Sequence, residues 1–139
     1  PSPPLKFLID NNLPPLWGRA LQELSLHEPD VREVVSLRAR FPADAEDCDW
    51  IRALGADGGW NVVSCDRFGK GNLEREALSQ ANLTVFRLQA QWTKARFWQQ
   101  TAAIVKWWPD ILEQARRTVP GAVIEVPYHH RGKFVFPKR

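Results

Sequence analysis

The residues best placed for chemistry in this chain are aspartates that follow short apolar runs. Leu5-Lys6-Phe7-Leu8-Ile9 ends in Asp10, and Trp60-Asn61-Val62-Val63-Ser64-Cys65 ends in Asp66. Each run has the length and apolar character of a buried strand, and Asp10-Asn11-Asn12 closes the first with turn formers. If the two strands are neighbours in a parallel sheet, both carboxylates emerge at the same edge. Two carboxylates at close range repel, and one takes up a proton unless a cation bridges them. Magnesium prefers oxygen ligands and keeps several waters, so two or three carboxylates suffice to hold it. An aspartate after a strand also serves as a turn or cap residue, and either one alone is compatible with that role.

Asp47 is the third candidate. It precedes Trp50, Ile51 and Leu54 by three, four and seven residues, which puts it on the buried face of a short helix. There it is either stabilised by the helix dipole or aimed into a crevice. Asp44 reads as the N-cap of that helix, and Asp49 lies off the apolar stripe. Glu74 and Glu76 offer a fourth acid, although glutamates at a helix start are common for dipole reasons alone. Adjacent His129 and His130 on a strand point to opposite faces, which argues against a metal pair. His27 falls at the end of a helix, where a dipole role suffices. Cys65 has no evident base partner. No GxxxxGK[ST] loop and no GxGxxG fingerprint occurs.

These residues need elements to hold them. Strands are expected at 5–9, 30–37, 60–65, 83–88 and 122–126. Helices are expected at 15–26 behind Pro14-Pro15, at 46–54 closed by Gly55, at 73–81 and at 94–117. Residues 38–45 read as a loop and Gly58-Gly59 as a turn. Pro109 predicts a kink or break near Trp108, and residues 134–136 read as a final edge strand. Strands alternating with helices imply an α/β fold with a mostly parallel sheet covered on both faces. In such sheets the ligand crevice lies beyond the C-terminal strand ends, which is where Asp10 and Asp66 fall.

The residues resemble a known family. Leu8-Ile9-Asp10-Asn11-Asn12-Leu13-Pro14 is similar to the opening of PIN-like domains, whose first strand ends in a metal-binding aspartate. Asp47-Cys48-Asp49-Trp50-Ile51 resembles their middle acidic segment. Val63-Ser64-Cys65-Asp66-Arg67-Phe68 resembles their hydrophobic-Ser/Thr-x-Asp-x-Phe element. Trp107-Trp108-Pro109 and the Pro120-Gly121 turn are similar to a subgroup linked to VapC-type toxins. The resemblance spans nearly the whole chain. It implies one three-layer α/β/α domain over 1–139, with 1–4 and 137–139 as loose ends.

The resemblance further implies an Mg2+- or Mn2+-dependent endoribonuclease whose metal is held by Asp10, Asp47 and Asp66. Many relatives have Glu where Asp47 stands, and the fourth acid has no clear match, which leaves one or two metals open. Toxin members of the family form dimers and pair with a neutralising antitoxin, so a cognate antitoxin and a homodimer are the partners implied beside RNA. On this mechanism Arg67 and Lys70, just past Asp66, are candidates to hold the phosphate. Arg131 and Lys133, with Lys138 and Arg139, are candidates for backbone affinity. Ser64 is placed to orient an aspartate or a water, and Asn11 and Asn12 to shape the turn or orient ligands.

Composition agrees with these readings without deciding among them. The chain has 139 residues and a net charge of +3, and six Lys or Arg face one acid, Glu125, from Arg116 onward. Such a basic segment suits a polyanion partner and equally suits a solvated tail. Seven Trp are expected mostly in a core or groove. Two cysteines without zinc spacing point to a reducing cytoplasm. There is neither an apolar run long enough to span a membrane nor a signal peptide pattern at the start. Two alternatives stay open. One is a catalytically silent module that binds RNA or a protein partner. The other is a phosphoryl-transfer protein of the receiver or haloacid-phosphatase type, which Asn11 and Asn12 disfavour because acids are wanted there.

Overall fold

Apart from Lys6, every residue of the first strand, β1 (Leu5–Ile9), is buried, because it runs inside a sheet covered on both faces. The computed structural model describes residues 4–65 and 80–137. After β1 come helix α1 (Leu16–Leu24) with a 3-10 turn (Ser25–His27), strand β2 (Val31–Ser36), and a four-residue helix α2 (Leu37–Arg40). Helix α3 (Asp47–Asp57) leads to β3 (Trp60–Ser64). Strand β4 (Thr84–Leu88), a 3-10 segment (Ala90–Lys94), the long helix α4 (Phe97–Arg117) and β5 (Val123–Val126) follow. The strand order is β2-β1-β3-β4-β5, and all four pairings are parallel. The fold is the expected three-layer α/β/α arrangement.

The period of two along each strand divides the core between the layers. Phe7, Ile9, Val63, Phe86 and Leu88 face α1 and α4, where Trp17, Trp92, Trp107 and Trp108 are buried. Leu8, Trp60, Val62 and Val85 face α3 and pack on Trp50, Ile51 and Leu54. Buried indoles need acceptors. Trp17 Nε1 donates to Thr101 Oγ1 at 2.9 Å, and Trp108 Nε1 to Ser25 Oγ at 2.9 Å, so two such bonds tie α1 and its 3-10 extension to α4. Trp92 Nε1 donates to the Val126 carbonyl at 2.9 Å. The exception to burial is Trp98, 77% exposed.

Several elements differ from expectation for identifiable reasons. Gly55 does not close α3. It lies inside the helix, where an added Cβ would fall 2.7 Å from Ala81 Cβ, so its role is close packing. The helix ends at Gly58, whose φ of 81° is the conformation a glycine adopts without strain. Asp44 is not the cap, which is Glu46, because Pro42 to Ala45 form a turn of their own closed by Ala45 N–H to Pro42 O at 3.0 Å. Leu37 of the expected strand and residues 38–40 of the expected loop are helical. Helix α4 runs unbroken through Pro109, since Pro109 and Val105, whose carbonyl loses its donor, both lie on the solvent side.

The expected strand at 134–136 is reduced to a single antiparallel bridge between Val135 and Glu125. Phe134 turns inward onto Phe86 and Trp107, which takes it out of an extended ladder. Of the helix expected at 73–81, residues 73–79 lie outside the described residues.

Candidate functional site

The C-terminal edge of the sheet gathers the candidate side chains. β1 and β3 are neighbours, paired Ile9 to Val63, and the Asp10 N–H extends that ladder to the Val63 carbonyl at 2.9 Å. The turn that follows is closed by Leu13 N–H to Asp10 O at 3.0 Å and anchored by the buried Leu13 side chain. Asp10 and Ser64 share the parity of Leu8 and Val62, so both face the α3 side of the sheet. Asp10 is 7% exposed and Ser64 not at all.

A buried carboxylate requires donors. Ser64 Oγ–H donates to Asp10 Oδ2 at 2.7 Å, and the Asn11 backbone N–H donates to Asp10 Oδ1 at 2.7 Å. Asn12 ties the two strand ends together. Its Nδ2 donates to Ser64 Oγ at 3.4 Å and its Oδ1 accepts from the Cys65 N–H at 3.4 Å. The Asn12 side chain thus holds the turn to β3, and Ser64 orients Asp10 directly.

Across from Asp10 stands the first turn of α3. Trp50, Ile51 and Leu54 are buried in the second core, and the same helical face brings Asp47 to the cleft. Trp50 Nε1 donates to Asp47 Oδ1 at 3.0 Å and fixes its rotamer. Asp10 and Asp47, with Asn11, Asn12, Leu37, Arg38, Pro42 and Ala45, line one open cleft of about 180 Å³. Asp49, by contrast, is exposed. Two further hollows continue along the edge. One, of about 140 Å³, lies among Asn12, Leu13, Trp17, Cys65, Trp92 and Gln100. The other, of about 250 Å³, lies between Cys65, Arg87, Gln89 and Glu125.

The other candidates fall into two groups. Asp66, Arg67, Lys70, Glu74 and Glu76 lie outside the described residues. Arg131 and Lys133 are exposed on the C-terminal segment and do not line the cleft with Asp10 and Asp47. His129 and His130 have separate partners. His129 contacts Gln91, while His130 bonds the Asp110 carboxylate and stacks edge-on against Trp107. Cys65 is half-buried, its thiol 3.9 Å from the Asn12 carbonyl.

Among the described residues no three of His, Cys, Asp and Glu come close enough to hold a metal ion. Asp10 and Asp47 bring two carboxylates to one cleft, and the surrounding amides and carbonyls are hard oxygen donors of the kind magnesium or manganese accepts. In chemical type these two carboxylates suit such an ion, and Asp66, which follows Ser64-Cys65 in the chain, lies outside the described residues.

Arg38 is the cleft residue that the sequence analysis did not single out. It follows β2, the other neighbour of β1, so the same strand-end rule that marks Asp10 applies to it.

A family model described as PIN like domain matches residues 5–90, which span β1 to β4 and include Asp10, Asp47 and Asp66. Neither a curated protein nor a solved structure matches the chain.

Proposed function

The chain belongs to the PIN-like domain family, and on that premise we propose that it is a metal-dependent endoribonuclease with Asp10, Asp47 and Asp66 as its metal ligands. The observation that carries this reading is the shared cleft. Asp10 comes from a strand end and Asp47 from a helix start, and each carboxylate is held in place by a protein donor. A turn or cap role for either aspartate does not require them to face one cleft.

The chain's own groups have definable tasks in this reaction. Asp10 and Asp47 hold Mg2+ or Mn2+, and Ser64 keeps the Asp10 carboxylate in one orientation. An ion so held supplies Lewis acidity toward the phosphodiester and lowers the pKa of a water. Arg67 and Lys70 are the cations nearest Asp66 in the chain, and Arg131 and Lys133 add nonspecific affinity. We assign the protein to the VapC-type toxins on the strength of Trp107-Trp108-Pro109 and the Pro120-Gly121 turn, with an antitoxin as partner and a homodimer as the assembly.

The test is cleavage of a mixed structured RNA with Mg2+ or Mn2+, beside samples with EDTA and with Asp10→Asn. Cleavage that disappears in both controls is expected. Cleavage that persists in the variant would remove Asp10 from the site. Absence of cleavage by every sample would favour the silent binding module instead. Growth arrest on expression, relieved by the product of a neighbouring gene, would establish the toxin role.

A further inference from the structure

We propose that Arg38 is the phosphate clamp of this cleft, held ready by neutral partners so that its charge remains for an RNA phosphate. The inference rests on the ribonuclease reading for the identity of its ligand. Its geometry stands apart from that reading.

The register of the sheet places Arg38. Ile9 pairs with Ser36, so Asp10 and the residues after Ser36 leave the sheet side by side. Leu37 turns into the second core, 7% exposed, and its carbonyl accepts the Phe41 N–H at 2.8 Å. That turn aims Arg38 along the rim of the cleft. Its Nε–H donates to Asn11 Oδ1 at 3.0 Å, and one terminal nitrogen donates to the Ala43 carbonyl at 2.6 Å. Both acceptors are uncharged. A guanidinium carries five N–H donors in a planar fork, so three remain for a ligand.

Three arginines elsewhere are paired with acids. Arg116 is surrounded by Asp30, Glu28 and Glu113. Arg87 meets Glu125 at 2.6 Å, and Arg40 meets Glu33 and Asp57. Among the described residues Arg38 makes no ion pair, like Arg19, Arg32, Arg52, Arg96, Arg117 and Arg131, but it alone of these lines the cleft with Asp10 and Asp47 and is held there by two hydrogen bonds. The hydrogen bonds to Asn11 and Ala43 restrict the side chain without neutralising it. A pre-ordered planar cation beside carboxylates that suit a divalent ion is what a phosphodiester requires. Asp10 and Asp47 would hold the ion, and the Arg38 fork would meet a phosphate oxygen.

Three proteins separate clamp from brace: the intact chain, Arg38→Ala and Arg38→Lys. Binding of a short fluorescein-labelled single-stranded RNA is followed by anisotropy in Ca2+ over a range of salt, and cleavage kinetics in Mn2+. Mn2+ affinity and Tm are measured alongside. Arg38→Ala is expected to weaken RNA binding and raise KM about tenfold, the loss of a charge-assisted contact. It should flatten the plot of log affinity against log salt by about 0.7, one phosphate contact on a single strand. Arg38→Lys should restore the salt slope and part of the affinity, and Mn2+ affinity and Tm should stay within error.

An unchanged KM and salt slope in Arg38→Ala would overturn the proposal while leaving the nuclease reading intact. So would a lysine variant as defective as alanine together with a lowered Tm, which is the mark of a brace. If the intact protein binds RNA but does not cut it, the nuclease reading fails and the binding arm still reads Arg38. If the intact protein binds no RNA, both fail.

Discussion

The Arg116–Asp30 site and the cleft both combine arginine with aspartate, and they treat the arginine in opposite ways. Where α4 ends beside the start of β2, Arg116 donates to Asp30 at 2.7 and 2.9 Å and reaches Glu28 and Glu113 at 3.4 Å. Those hydrogen bonds hold the Asp30 carboxyl below its ordinary value of 3.8 and push Arg116 above its own. At the cleft, Asp47 is met by an indole, and the donors described for Asp10 are a hydroxyl and a backbone amide. Arg38 is met by an amide oxygen and a carbonyl. The first region satisfies its charges internally and so fastens a helix to a sheet edge. In the second, neutral groups orient Arg38 and Asp47, and the Arg38 guanidinium is left for a ligand.

The widest separation between the two regions is expected from matched aspartate variants. Asp10→Asn should reduce cleavage by at least about a hundredfold, the scale of losing a group that stabilises the transition state directly, with Tm unchanged. Asp30→Asn should leave cleavage unchanged and lower Tm. RNA cleavage and thermal unfolding of both variants check the pair, and a Tm loss in Asp10→Asn as large as in Asp30→Asn would break the comparison. Ser64→Ala removes the hydroxyl that orients Asp10 and should cost about tenfold in Mn2+ affinity or activity, as loss of an outer-shell partner does. It should also cost about 1 kcal/mol of stability.

A smaller effect is expected from pH. Because the folded Asp30 pKa is depressed, its pair with Arg116 contributes fully above the unfolded value and is lost as pH falls through the folded one. Arg116→Gln should therefore lower Tm by a constant amount near neutral pH. The two proteins should converge as pH drops below the ordinary 3.8 toward the depressed value. Divergence on acidification would assign the opposite sign to the pair. Trp50→Phe is expected to have the smallest effect. It frees Asp47 from the indole and should weaken Mn2+ binding a few-fold, with a modest loss of Tm because the smaller ring leaves part of the buried indole volume unfilled.

Much of this arrangement is legible in the residues alone. An apolar run ending in Asp10, a second ending in Asp66 and a helix face carrying Asp47 above Trp50, Ile51 and Leu54 are local patterns. The periods of strand and helix decide which way such side chains face. The same periodicity yields the α/β class, the cores on both sheet faces and the buried tryptophans. Local pattern is weaker at element ends. Gly55 and Gly58 are equivalent as cap signals, and only the contact of Gly55 with Ala81 tells them apart. Pro109 reads as a break, yet its solvent-facing position lets α4 continue.

What tertiary structure alone decided is who meets whom. Arg116 belongs to the basic C-terminal segment by composition, but its charge is spent on Asp30, Glu28 and Glu113. Arg38 sits in what reads as an ordinary loop, and only the parallel pairing of β1 with β2 carries it to the rim beside Asp10. Strand neighbours are chosen by packing between distant segments, which one-dimensional periodicity does not encode. Asp10 and Asp47 could therefore be singled out from the sequence, whereas their sharing of one cleft with Arg38 could not.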